Sequence, residues 1–234
     1  MFAVYYRELS SYFTTPIGYV FAAMFIAFSG LAFCVTTLLV YSSDVFGYFQ
    51  YLVLILAVLL PLLTMKSFSE ERKTKTEQLL LTSPVSLFSI VFGKFLAAVT
   101  VLFVSICINS YCFVILSKYG TVNGTVVFGN IVAIFLIGVA FISAGLFVSA
   151  FTENQFVAAD AAIGINGFLL GMYFVAPKIN TTWLRVVIKW FSFYDRLYPF
   201  FQGFFDIGSV VYYFSFSVIF LFLTVRLYES RRWA

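Results

Sequence analysis

The sequence predicts an all-α membrane protein with six transmembrane helices. Composition is the first reason. Of 234 residues, 62% are hydrophobic, 21% aromatic and only 10% charged, where an average soluble domain has about 25% charged residues. Mean hydropathy is +1.02, and a small globule cannot hide that much apolar surface from water. The second reason is run length. A span needs about 20 apolar residues at 1.5 Å rise each, and such runs lie at 17–40, 46–65, 90–117, 126–151, 155–176 and 209–226. The third is the absence of short alternating strands, since lipid accepts only helices or closed barrels. Together these exclude a cytosolic enzyme, a secreted disulfide scaffold and a disordered chain.

The first 15 residues form an element of their own. Phe2, Tyr5, Tyr6, Leu9, Tyr12 and Phe13 recur at helical spacing, while Arg7, Glu8, Ser10 and Ser11 face away. This pattern fits an amphipathic interfacial helix lying in the headgroup layer, ended by Pro16. The plainer alternative is a continuation of the first span. Lys and Arg set the orientation. With a cytoplasmic N-terminus, Arg7, Lys66, Arg72, Lys73, Lys75, Lys94, Arg226, Arg231 and Arg232 lie inside, against Lys118, Lys178, Arg185, Lys189 and Arg196 outside. That nine-to-five split supports a cytoplasmic location for both termini, and an even number of spans agrees with termini on one side.

The segment 66–83 concentrates charge, with seven charged residues between Lys66 and Glu77. Ser67 with Glu70, and Thr74 with Glu77, match the capping-box spacing, so a short helix starting near Ser67 is predicted. Leu79, Leu80 and Leu81 give it an apolar edge, and Ser83–Pro84 reads as N-cap and first position of the next helix. The segment is either a solvated positive loop or a docking helix for a soluble partner. Further on, residues 152–154 make a tight hairpin between spans. The stretch 177–208 begins amphipathic: Arg185, Lys189, Ser192 and Arg196 oppose Trp183, Leu184, Val187, Ile188 and Phe191. The run from Tyr198 to Asp206 is aromatic enough for a re-entrant element buried in protein, or for an interfacial aromatic belt.

Chemistry-bearing motifs are missing. There is no histidine, and Cys34, Cys107 and Cys112 sit inside apolar runs without CxxC spacing, which argues against a metal centre. Gly93-Lys94 is followed by Phe95, so no P-loop exists. No GxSxG or HExxH occurs either. The chain is predicted to be non-catalytic, to bind no cofactor or metal, and to ignore nucleic acid, its +4 charge serving membrane orientation instead. Polar residues inside spans need a reason. Asp160 lies about 7 Å into the fifth span, at 1.5 Å per residue. It is reached by water, paired, or facing a pathway. Asn109 and Asn166 suit bonds between helices. Gly167 and Gly171 form GxxxG in a span rich in Ala and Gly, a packing seam within one protomer or between two.

The loop Ser69-Glu-Glu-Arg-Lys-Thr-Lys-Thr-Glu77, continuing through Leu-Leu-Leu-Thr-Ser-Pro-Val85 and Ile90-Val-Phe-Gly-Lys94, resembles that of ABC-2 type transporter permeases. Arg7-Glu-Leu-Ser-Ser-Tyr-Phe13 with Pro16, Phe147 to Gln155, and Arg226 to Trp233 agree in order along the chain. Within the family the sequence is most similar to small permeases associated with gliding motility or nitrous oxide reductase maturation. Asp160 and Gln202 depart from the family pattern, which weakens any transfer of substrate.

The resemblance implies a single transmembrane domain over 1–234 in the bacterial inner membrane, with a coupling helix in 66–83 docking an ABC ATP-binding subunit. It implies two such subunits per complex, carrying ATP and Mg, and a second permease copy or paralogue. The docking residues are then Ser69, Glu70, Glu71, Arg72, Lys73, Thr74, Lys75, Thr76 and Glu77, and the transport direction is export. Two other functions are compatible with the residues: a membrane anchor that recruits an ATPase to an envelope machine without moving cargo, and a secondary carrier using Asp160 as a proton site.

Overall fold

The computed structural model describes residues 2–40, 45–76, 86–119, 123–179 and 181–232, and among these it is helices joined by short turns, without strands. In chain order the helices are α1 (Phe2–Thr14), α2 (Ile17–Phe33), α3 (Phe46–Lys73), α4 (Leu87–Asn109), α5 (Tyr111–Tyr119), α6 (Gly124–Phe151), α7 (Gln155–Val175), α8 (Thr182–Phe191), α9 (Phe193–Phe201) and α10 (Ile207–Arg232). A π-helical turn, Cys34–Leu38, extends α2, and α7 runs into a 3-10 turn. Among the described residues, six segments are long and apolar enough to cross a membrane: Ile17–Leu38, Phe46–Lys73, Leu87–Lys118, Gly124–Phe151, Gln155–Lys178 and Ile207–Arg231.

Local chemistry sets most of the helix starts. Ser86, Asn123, Asn154 and Ser192 each accept a hydrogen bond from a backbone N–H of the first turn that follows, satisfying donors that the helix leaves free. Asp206 does the same for α10, accepting from the Gly208 and Ser209 amides at 3.1 and 3.0 Å and from the Ser209 hydroxyl at 2.6 Å. That hydroxyl holds the Asp206 carboxyl below the usual carboxylate range. The fourth helix therefore starts at Leu87 under Ser86; Ser83, Pro84 and the Leu79–Leu81 edge lie outside the described residues.

Helix α3 departs from the sequence expectation. Capping-box spacing predicts a new helix at Ser67, yet one helix runs unbroken for 28 residues to Lys73. At 1.5 Å per residue it is about 42 Å long, longer than the ~30 Å hydrocarbon layer, so its charged end projects beyond the membrane. Contacts from far along the chain explain the continuity. The Ser149 hydroxyl of α6 accepts from the Phe68 and Ser69 amides at 3.2 Å each and donates to the Met65 carbonyl at 3.0 Å. Thr74, predicted to be a second N-cap, instead ends the helix, its hydroxyl bonding back to the Glu70 carbonyl at 2.9 Å. Lys75 turns the chain away with φ 59°.

Helix α6 is the central post, packing against α3, α10, α7, α4 and α9. Glycines permit its closest approaches: a Cβ at Gly138 would stand 2.5 Å from Leu102, and one at Gly145 2.3 Å from the Thr64 hydroxyl. Polar cross-links hold the other helices. Pro61 lacks the N–H that would bond the Ala57 carbonyl four residues back, and Asn166 of α7 donates to that carbonyl at 3.2 Å. Asn109 of α4 donates to the Tyr48 hydroxyl at 2.5 Å and accepts from Ser29 at 2.7 Å, joining α2, α3 and α4.

Segment 177–208 divides in two. Helix α8 is amphipathic and has no buried residue. Helix α9 is the aromatic plug, with Phe193, Leu197, Phe200 and Phe201 buried. Phe193 stacks on Phe141 at 5.8 Å and meets Tyr213 and Phe216 edge-on at 5.3 and 4.8 Å. Gly203 ends α9 with φ 84°, in the left-handed region that glycine tolerates.

Gly145→Ala forces a methyl into Thr64 and should lower stability by about 1–3 kcal/mol. Gly167→Ala meets nothing within 4 Å and should leave the thermal midpoint unchanged or raised. Thermal unfolding of the detergent-solubilised protein measures both.

Candidate functional site, a buried charge cluster joining three helices

Lys94 lies two turns into α4 and is only 1% exposed. The Lys94 ammonium donates to the Glu71 carboxylate of α3 at 2.9 Å and to the Ser67 carbonyl of α3 at 2.7 Å, and it forms an ion pair with Glu8 of α1 at 3.2 Å. The Phe68 ring lies 5.0 Å away under the same charge. Arg7 closes the cluster from outside, reaching Glu8 at 2.7 Å and Glu71 at 3.3 Å. Two cations and two anions therefore balance. Burying an isolated charge costs several kcal/mol, and only complete pairing makes it tolerable.

Gly93 makes this geometry possible. Helix α1 crosses α4 there, and a Cβ on Gly93 would sit 3.1 Å from Val4 and 3.3 Å from the Tyr5 amide. Tyr5 bonds Thr100 of α4 at 3.0 Å, and Tyr12 is buried, which pushes its phenol pKa upward. The inward face of α1 is thus Tyr5, Glu8, Leu9 and Tyr12, while Tyr6, Arg7 and Phe13 face out. Sequence spacing assigned Glu8 to the outer polar face. The structure turns it inward, because a buried cation lies opposite.

The remaining predicted residues separate into two groups. Ser69 is buried, its hydroxyl bonding the Met65 carbonyl. Glu71 points at Lys94 rather than outward. Arg72 donates to the Phe151 carbonyl at 2.6 Å and pairs with Glu153 at 3.1 Å. With Arg231, which donates to the Ala150 carbonyl at 2.7 Å, it satisfies the C-terminal carbonyls of α6, where positive charge is favoured. Glu70 pairs with Lys66 at 3.0 Å and is half-buried, while Lys73, Thr74, Lys75 and Thr76 are exposed. Glu77 lies outside the described residues. Asn109 and Asn166 are buried structural links. Asp160 is exposed on α7, and Gly167 and Gly171 face open space, so this GxxxG packs nothing within the protomer. Sequence reasoning missed Lys94 as a centre. The available signal was a charged residue inside an apolar helix, directly after a glycine.

The arrangement carries no nucleophile–base pair, and among the described residues no group of His, Cys, Asp and Glu could hold a metal. It is a mechanical joint: the projecting end of α3 is pinned to α1 and α4 by charge. In comparisons with known proteins, a family model described as ABC-2 family transporter protein matches residues 22–189. A search of curated proteins found no match.

Lys94→Met leaves Glu8 and Glu71 facing each other across an apolar site. It should destabilise the protein by about 3–5 kcal/mol, read as a lower thermal midpoint in detergent. Lys94→Met with Glu71→Gln should recover much of that loss, since Arg7 still neutralises Glu8.

Proposed function

The chain belongs to the ABC-2 family of transporter proteins as a membrane permease subunit, and from that premise we propose that it couples ATP hydrolysis on separate ATP-binding subunits to export of a substrate across the bacterial inner membrane. Both termini lie in the cytoplasm on this reading, and the charged end of α3 with the segment after it docks the ATPase. The carrying observation is the Lys94 cluster. A force applied to the half-buried Glu70 and the exposed Lys73, Thr74, Lys75 and Thr76 reaches α1 and α4, because Glu71 and Ser67 on the same turns are bonded to Lys94. Arg72 carries the push to the end of α6 through Phe151 and Glu153. Interactions made only inside a low-dielectric joint resist bending better than exposed pairs.

This reading assigns ATP and Mg to the partner subunits and pairs the permease with a second copy or a paralogue. The outer face of α7 supports the pairing. Asp160, Ala161, Gly164 and Gly167 are exposed together there, and lipid covers a carboxylate only at several kcal/mol. A second permease, or a wet path between two, removes that cost.

Reversing Glu70 and Lys73 together, as Glu70→Lys with Lys73→Glu, should reduce substrate-coupled ATP hydrolysis at least tenfold in the reconstituted complex. Native gels check assembly. Intact coupling in an assembled double variant would refute the docking assignment.

A further inference from the structure

Neither the charge cluster nor the helix cross-links use the cysteines, yet the fold brings two of them to one place. Cys34 follows α2 directly and opens its π-helical turn, and Cys112 lies in the first turn of α5. They are 78 residues apart in numbering. The contacts around them tie their helices together. The Ser29 hydroxyl of α2 donates to Asn109 of α4 at 2.7 Å, little more than a turn before each cysteine. The Phe33 and Phe113 rings, each next in sequence to one of the cysteines, both meet the Tyr48 ring edge-on, at 5.7 and 5.5 Å. The end of α2 and the start of α5 therefore converge on Tyr48, and the two sulfurs lie within Coulombic reach of each other. Cys34 is exposed and Cys112 half-buried, so a reagent can approach both. The third cysteine stands apart. Cys107 is two residues before Asn109, about 200° around the helix, which turns it away from the α2 contact.

We propose that Cys34 and Cys112 form a thiol–disulfide pair: oxidation joins their sulfurs and ties the end of α2 to α5, and reduction releases it. The oxidant is of the disulfide class. One protein thiolate attacks a sulfur of the incoming disulfide, making a mixed disulfide and expelling one thiol; the second protein thiolate then displaces the other. Two protein thiols and one disulfide become one protein disulfide and two thiols, so both electrons and both protons leave on the oxidant. Depth suits the exchange. Cys34 is four residues from the end of its span at Leu38, and Cys112 six from the end of its own at Lys118, about 6 and 9 Å along the axis at 1.5 Å per residue. Both sulfurs are thus near a membrane surface rather than at the bilayer centre. On the orientation proposed above that surface is the outer one, where disulfides persist; the pairing itself rests on the fold and not on that orientation. The consequence is mechanical. Only 33% of the first span is buried, and α5 continues α4, which Lys94 fixes to α3. The closed bond adds the far end of α2 to that fixed set.

The test uses the purified full-length permease in detergent, oxidised with diamide, whose azo bond takes up the two electrons and two protons to become a hydrazine. The protein is then unfolded, alkylated with N-ethylmaleimide and weighed intact. The wild type, with three cysteines, should carry three maleimides before oxidation, one after it, and three again after dithiothreitol. Peptide mapping should find Cys34 linked to Cys112 and Cys107 alkylated. A disulfide forms only where Cα atoms come within about 7 Å, so closure reports the juxtaposition directly. The oxidised protein should unfold about 5 °C higher than the reduced one, and dithiothreitol should cancel the rise. Cys107→Ser should close the same bond, and Cys34→Ser should keep both of its remaining thiols. Three free thiols after oxidation of folded wild type, a bond that uses Cys107, or a bond between two chains overturns the pair, and an unchanged midpoint with the bond closed overturns its role as a tie.

Discussion

A lysine ammonium withdrawn from water must place every one of its protons, and the terminal side of this molecule is arranged around that demand. Lys94 hydrogen-bonds the Glu71 carboxylate and the Ser67 carbonyl, two positions of α3, and forms an ion pair with Glu8 of α1. None of these partners can move far without leaving a buried charge unpaired. Such a pair adds little net stability compared with apolar residues of similar volume. Its physical value is rigidity: it fixes the angle between α1, α3 and α4 through short, directional bonds. The surrounding choices follow. Gly93 lets α1 lie on α4, Tyr5 bonds Thr100, and Phe68 screens the ammonium from water.

The same constraint recurs at membrane depth, where no solvent completes a hydrogen bond. Pro61 frees a carbonyl, and Asn166 is present to take it. Asn109 serves two helices through Ser29 and Tyr48. Ser149 binds the α3 backbone with both its donor and its acceptor capacity. Asn166, Asn109 and Ser149 each fix one helix against another, which apolar packing between lipid-like surfaces does weakly. Gln50 of α3 likewise donates to the Tyr194 hydroxyl of α9 at the other end of the molecule.

Six spans were legible because hydropathy is a sum over about 20 residues and tolerates local detail. The aromatic plug was legible as unusual composition, and Asn109 and Asn166 as polar residues needing partners. The boundary of α3 was not. A capping box is a four-residue pattern, and Ser67 has that pattern, yet Ser149 and Lys94, 82 and 27 residues away in numbering, hold the backbone helical through it. Glu8 failed for a related reason: periodicity gives the faces of a helix but not what lies opposite each one. A carboxylate looks outward until the sequence partner that draws it inward is placed. In a bilayer that error is systematic, since buried charges there occur in pairs and only one member is visible at a time.

The distribution of burial then suggests where the molecule is stiff and where it is free. Helix α6 is enclosed on most sides by α3, α4, α7, α9 and α10. Arginines from α3 and α10 grip its end. The outer faces of α2, α7 and α10 are much less covered, about a third or less of their span windows being buried. The projecting end of α3 is tied by Lys94 to α4 and, through Ser149 and Arg72, to α6. A charge-locked body of α1, α3, α4 and α6 thus stands against a small-residue face of α7 that bears Asp160 and the open glycines.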